Sequence, residues 1–155
     1  MTQQERQDAI RQIASLPEQI QAIIAGRPDS VLDKTYRPGS WTARQIIHHL
    51  ADAHMHAYIR ARITLTEDHA ELKPYDQDVW ARLQDASRGQ VEPSLAILKG
   101  LHARLAVFFR TLPEEAYART AHHPERGDLS LDDQLALYAA HGAKHLLNLR
   151  AAITS

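Results

Sequence analysis

At 155 residues, with 44% apolar and 24% charged residues, the chain has the length and balance of one soluble globular domain with room for a real core. A net charge of −1 with neutral histidines leaves no electrostatic footprint for nucleic acid or an anionic membrane, and the absence of cysteine excludes disulfides, a thiolate nucleophile and Cys-containing zinc sites. No apolar run approaches the roughly 20 residues of a membrane span, and the polar stretch from Met1 to Arg11 lacks a signal-peptide core, so a cytoplasmic protein is expected.

Strand signals are weak, with only 6% aromatics and no long alternation of apolar and polar residues. Helical periodicity is strong. The first helix is predicted from Gln3 to Ala25, on the spacing of Ile10, Ile13, Ile20 and Ile24, with a kink or break at Pro17 near Leu16. Gly26 and Pro28 end it, and residues 26–40 form a loop. A second helix runs from Trp41, capped by Ser40, to Glu67. A proline-interrupted segment through Pro74 follows, with a short helix around Trp80. The third long helix covers Pro93 to Leu112, with the stripe Leu98, Leu101, Leu105, Phe108 and Leu112. A polar loop around His122 to Asp128 leads to a fourth helix, capped by Ser130 with Asp133 and ending near Ile153. Four amphipathic helices predict an all-α four-helix bundle, a single domain over residues 1–155.

Ten histidines are about three times the usual number for this length. Histidine is the commonest metal ligand, so their facing decides what they can do. On the second helix, His49 lies about 100° from a stripe centred on Leu50, on its flank, whereas His48 lies about 160° away. On the fourth, His145 and His141 lie about 60° and 100° to one side of Gly142, one turn apart. A His-x-x-x-His pair offers two imidazoles to one cation, and His49 supplies a third, leaving a fourth position open as in catalytic zinc sites. The pattern alone leaves two readings standing: a metal site, or a satisfied polar cluster between two helices.

The other histidines have plainer roles. His54, about 40° from Leu50, is expected as a hydrogen-bonded core residue. His56 shares the side of His49 and is expected either behind the ligands or in solvent. His48, His69, His102, His122 and His123 are expected at the surface or in loops. Asp52 could orient an imidazole or act as a base, but a solvated charge explains it as well. Trp41, Tyr75, Trp80 and Tyr138 fit either a pocket or plain core, and Arg60 and Arg62 fit solvent-directed side chains with packed stems.

The run Trp41-Thr42-Ala43-Arg44-Gln45-Ile46-Ile47-His48-His49-Leu50-Ala51-Asp52, continued by His54 and Met55, resembles a signature block of the YfiT-type branch of the DinB/YfiT-like superfamily. Tyr58-Ile59-Arg60, Leu65-Thr66-Glu67, Pro74-Tyr75-Asp76, Trp80, Leu101-His102, Leu112, His123-Pro124 and Leu137-Tyr138, with His141 and His145, extend the likeness from Thr35 to Leu149. The resemblance implies a four-helix bundle, often a homodimer, with one divalent metal held by three histidines. By position these are His49, His141 and His145. Ala143 and Lys144, between the last two, leave no rival histidine there.

The resemblance also implies a metal-dependent hydrolase, with zinc or nickel activating water against a small-molecule substrate. Other branches of the superfamily are metal-dependent S-transferases. On that alternative a low-molecular-weight thiol is the nucleophile, held through its carboxylates by Arg44 or Arg60. A third alternative is a non-catalytic metal-binding module, which calls for a closed shell with no adjoining pocket.

Overall fold

The computed structural model describes residues 1–155. Its helices are α1 (Gln3–Ile24), α2 (Ala43–Thr66), α3 (Gln77–Ala81), α4 (Gln84–Arg88), α5 (Glu92–Arg110) and α6 (Leu131–Thr154). The four long ones, α1, α2, α5 and α6, form a four-helix bundle. Three of them begin with a reciprocal capping box: Thr2 with Glu5, Thr42 with Gln45, and Ser130 with Asp133. The fourth, α5, has Pro93 in its first turn instead. The cap of α2 is therefore Thr42 rather than Ser40. The Ser40 hydroxyl is taken by the Arg37 carbonyl at 2.8 Å, and Trp41 stays outside the helix. Pro17 does not break α1, which runs unbroken through it.

Connectivity departs from a simple up-and-down bundle. Helix α1 packs on α5 and α6, and α2 packs on the same two. Consecutive helices α1 and α2 therefore face each other across a diagonal, as do α5 and α6. Short turns would have made them adjacent. Long connections are needed instead, and residues 25–42 and 111–130 supply them, each with a short 3-10 helix, Asp29–Asp33 and Glu114–Ala118. The connection from α2 to α5 carries α3 and α4, which lie on α2.

The region around His122 to Asp128 is a β-hairpin rather than a loop. Strands β1 (Thr120–His123) and β2 (Gly127–Ser130) pair antiparallel, and Gly127 takes the positive φ of 74° that the tight connection requires. Residues 70–72 run beside β1: His122 donates to the Ala70 carbonyl at 2.8 Å and accepts from the Leu72 amide at 2.7 Å. No helix is long and apolar enough to cross a membrane.

The core is divided. One apolar cluster holds Ile10, Ile13, Ala57, Ala61, Leu105, Phe109, Leu131 and Leu135, and a second holds Leu16, Ile20, Ile46, Leu50, Leu98, Leu146 and Leu149. On each helix the change from one to the other falls at the same level. Between them lie His54 on α2, His102 on α5, and His141, Gly142 and His145 on α6. Buried imidazoles thus form a polar layer across the middle of the bundle. A Cβ on Gly142 would meet Leu16 at 2.8 Å and the His54 ring at 3.6 Å, so the bare backbone there lets α1 and the layer close up.

Candidate metal centre

The neighbouring helices α2 and α6 bring together the three histidines singled out by periodicity. One ring nitrogen from each of His49, His141 and His145 lies within 4.8 Å of the other two. The Nε2 atoms of His49 and His141 are 3.1 Å apart. Two nitrogens bound tetrahedrally at about 2.0–2.1 Å would be ~3.3 Å apart, so this pair has to spread by only a few tenths of an ångström. His49 and His145 are buried and His141 reaches partly into solvent. Trp41 covers the group: its ring lies 4.6 Å from His49 and stacks on His145 at 6.1 Å. Because Thr42 rather than Ser40 caps α2, this indole becomes a wall of the site.

Burial keeps all three rings neutral at physiological pH. His49 is held at about 3 by burial and then by His145 and His141. His141 is also near 3, from burial and then His145, Lys144 and Arg126. His145 is near 4, from burial and then Lys144. A neutral imidazole has a free lone pair, the form a cation needs. The Nδ1 atom of His145 is shielded and has no hydrogen-bond partner. Such an orphan costs about 1–3 kcal/mol, which makes the cluster incomplete as a purely polar network. Three converging neutral nitrogens, one of them on a ring with an orphaned atom, fit a borderline divalent cation such as zinc or nickel.

Behind His141 runs a line of further imidazoles. His141 Nδ1 lies 3.1 Å from His54 Nε2, and His54 Nδ1 lies 2.8 Å from His102 Nε2. His102 Nδ1 reaches the Ile13 carbonyl at 2.6 Å. His54 is the buried core histidine expected from the sequence. His102 is not the surface residue expected: it is fully buried, because it lies between Leu98 and Leu105 on the inner face of α5.

A cleft of about 500 Å³ opens beside His49 and His141. Its walls include Arg60, Tyr75, His123, Arg126 and Tyr138. Arg60 is not simply directed to solvent. Its guanidinium donates to the Tyr138 hydroxyl at 3.2 Å and the Lys73 carbonyl at 2.6 Å, and its Nε is buried without a partner. Arg62 rests its guanidinium on the Tyr58 and Phe108 rings, as a packed surface arginine does. An open cleft beside the three histidines disagrees with a closed, non-catalytic shell.

Several expectations are corrected. Asp52 is not part of the cleft and has no hydrogen bond to any of the three imidazoles. Burial, then Asp85, raises its carboxyl to about 6. Arg44 is buried and bound to Asp29, Asp33 and the Gly89 carbonyl, so its guanidinium is not free to hold a thiol. His48 is buried against Ser94 and the Gly89 carbonyl, because the chain between α4 and α5 covers that flank of α2. His56 is neither behind the ligands nor in solvent, and stacks on Tyr75 at 4.3 Å with Trp80 nearby. His123 is buried in the hairpin and lines the cleft, a placement hidden in the sequence because the hairpin was not visible there. His69 and His122 lie at the surface beside Asp128, as expected.

The sequence profile of the family described as the DinB superfamily matches residues 12–149. A "Putative metal-dependent hydrolase" of Oceanobacillus iheyensis is 40% identical over 140 residues, 90% of this chain and 81% of that protein. The "Putative metal-dependent hydrolase YfiT" of Bacillus subtilis is 34% identical over 150 residues, 96% of this chain and 84% of its own length. The solved YfiT structure superposes with a TM-score of 0.92, covering 96% of this chain and 86% of that one. It is described as "a probable metal-dependent hydrolase with an unusual four-helix bundle topology".

Proposed function

Since the chain belongs to the DinB superfamily, we propose that it is a metal-dependent hydrolase whose cation, zinc or nickel, is held by His49, His141 and His145. The observation that carries this reading is the convergence of three neutral ring nitrogens at the wall of an open cleft. A cation there would supply Lewis acidity, bringing the pKa of a water molecule down towards ~7. The protein supplies the rest. The three imidazoles bind as lone-pair donors, and Trp41 excludes solvent behind them. Arg60 and Arg126 favour a substrate with anionic or strongly polar groups. The Tyr138 hydroxyl, accepting from Arg60, is placed to donate to a substrate oxygen. We further infer that residues 1–155 act as one domain on a small molecule, as a homodimer in the cytoplasm.

The two arginines in the cleft also favour a second reading, thiol S-transfer, because they suit the carboxylates of a low-molecular-weight thiol. The cysteine-free chain offers no nucleophilic sulfur of its own.

Elemental mass spectrometry tests the centre. About one zinc or nickel per chain is expected, and His49→Ala and His145→Ala should each lose it. No stoichiometric metal after incubation with zinc refutes both enzyme readings. With metal present, an ester and amide panel run with and without added thiols separates them, since only S-transfer depends absolutely on the thiol.

A further inference from the structure

The line of histidines behind the centre has a direction, and its origin is a proline. In an α-helix the carbonyl of residue 13 accepts from the amide of residue 17. Here residue 17 is proline, which has no N–H, so the Ile13 carbonyl is left free in the interior of α1. His102 Nδ1 meets it at 2.6 Å. A carbonyl only accepts, so His102 carries its hydrogen on Nδ1. As a neutral ring it then has a lone pair on Nε2, and the hydrogen between it and His54 must belong to His54 Nδ1. The two ring planes are 3° from parallel, a suitable alignment for that bond. His54 in turn has its lone pair on Nε2, so the hydrogen between it and His141 belongs to His141 Nδ1. That leaves the lone pair of His141 on Nε2, the atom that faces His49.

Without the carbonyl, the three histidines could run their hydrogen bonds either way. In the reverse order His141 would point N–H at the centre, and His102, His54 and His141 would all have to exchange tautomers before that atom could bind a cation, whereas His49 lies outside the line and shifts its hydrogen alone. The carbonyl removes this degeneracy. We propose that His54 and His102 are positioning residues, and that the Ile13 carbonyl freed by Pro17 sets the tautomers of His102, His54 and His141 in turn, presenting the Nε2 lone pair of His141 to the metal position. The proposal rests on His141 being a ligand, but its tautomer claim concerns the metal-free protein. There the hydrogen between the two facing Nε2 atoms comes from His49.

Two measurements test it. Long-range 15N–1H NMR on the metal-free wild type identifies which nitrogen of each ring is protonated. Hydrogen on Nδ1 of His102, His54 and His141 is expected, with hydrogen on Nε2 of His49. Hydrogen on Nε2 of His141 overturns the proposal. Zinc affinity is then measured by competition with a chromophoric chelator. His102→Phe should weaken it about 10-fold, the lower end of the effect of losing the direct partner of a ligating histidine, because His102 acts on His141 through His54. His102→Gln should largely restore it, because an amide can donate to Ile13 and accept from His54. Pro17→Ala returns an amide that competes for the Ile13 carbonyl, so zinc should bind more weakly even though α1 becomes a better helix. Folded His102→Phe with wild-type affinity overturns the proposal. The expected tautomers in a wild type that binds no zinc would leave the relay standing and refute the metal reading instead.

Discussion

Acidifying the metal-free protein should strongly destabilise it, and the histidine layer sets the size of the effect. His49, His141 and His145 are held at about 3, 3 and 4 in the folded chain, against an unfolded value near 6.5. The folded values lie lower, so between those limits the unfolded chain binds more protons. The contribution is fully present above about pH 6.5 and is lost as the pH falls towards 3. At 1.36 kcal/mol per unit, each ring contributes about 2 kcal/mol of lost stability by pH 5, and the three together about 6. A domain of this size has roughly 5–15 kcal/mol in all. Buried His54, also held well below its ordinary value by burial and then His102, acts in the same direction. Asp52, raised to about 6, opposes with a weaker effect because half of it meets solvent. The assay is urea unfolding in excess chelator, followed by helical circular dichroism, from pH 8 to pH 5. The midpoint should fall steeply below pH 6.5, and His145→Phe should remove about 2 kcal/mol of the fall. Equal midpoints at pH 8 and pH 5, with an unchanged denaturant slope, would refute the reasoning.

Two further outcomes follow from the geometry. Gly142→Ala adds a Cβ 2.8 Å from the Leu16 Cδ2 methyl, the end of a flexible side chain that can shift, so its overpacking cost should stay near the lower end of about 1–3 kcal/mol and nearly cancel the ~1 kcal/mol gained in helix propensity, leaving the melting temperature within a few degrees of wild type. Arg60→Ala removes the donor to Tyr138 and Lys73 from the cleft wall, so it should raise KM at least tenfold for an anionic substrate while metal content by elemental analysis stays unchanged.

The four long helices were legible because each carries its own stripe and punctuation, and Ser130 with Asp133 marked the start of α6 to the residue. The same logic, applied to the wrong hydroxyl, put the cap of α2 at Ser40, although Thr42 with Gln45 three residues on was the complete box. The ligand candidates emerged from facing alone. His102 meets the same test, four residues after Leu98 and three before Leu105, on the inner face of α5. Other features could not be read locally. The partner of His48 is Ser94 on another helix, and the strands of the hairpin are four residues each, too short to alternate visibly. The diagonal connectivity depends on contacts between helices distant in the chain, which no local periodicity encodes. Pro17 predicts a kink or break near Leu16, but α1 continues through it, and what the proline removes is one backbone N–H.

The cleft is built from two kinds of material, and this bears on how the protein can diverge. The candidate ligands and their backing histidines sit on the bundle helices, locked between two apolar clusters. The opposite wall comes from outside them, from Pro74 to Gln77 and from the hairpin residues His123, Glu125 and Arg126, which residues 70–72 tie together along β1. Insertions or exchanges in that outer wall leave the helix packing untouched. The shape of the cleft can therefore change at little cost in stability, while the candidate metal centre stays held by the bundle.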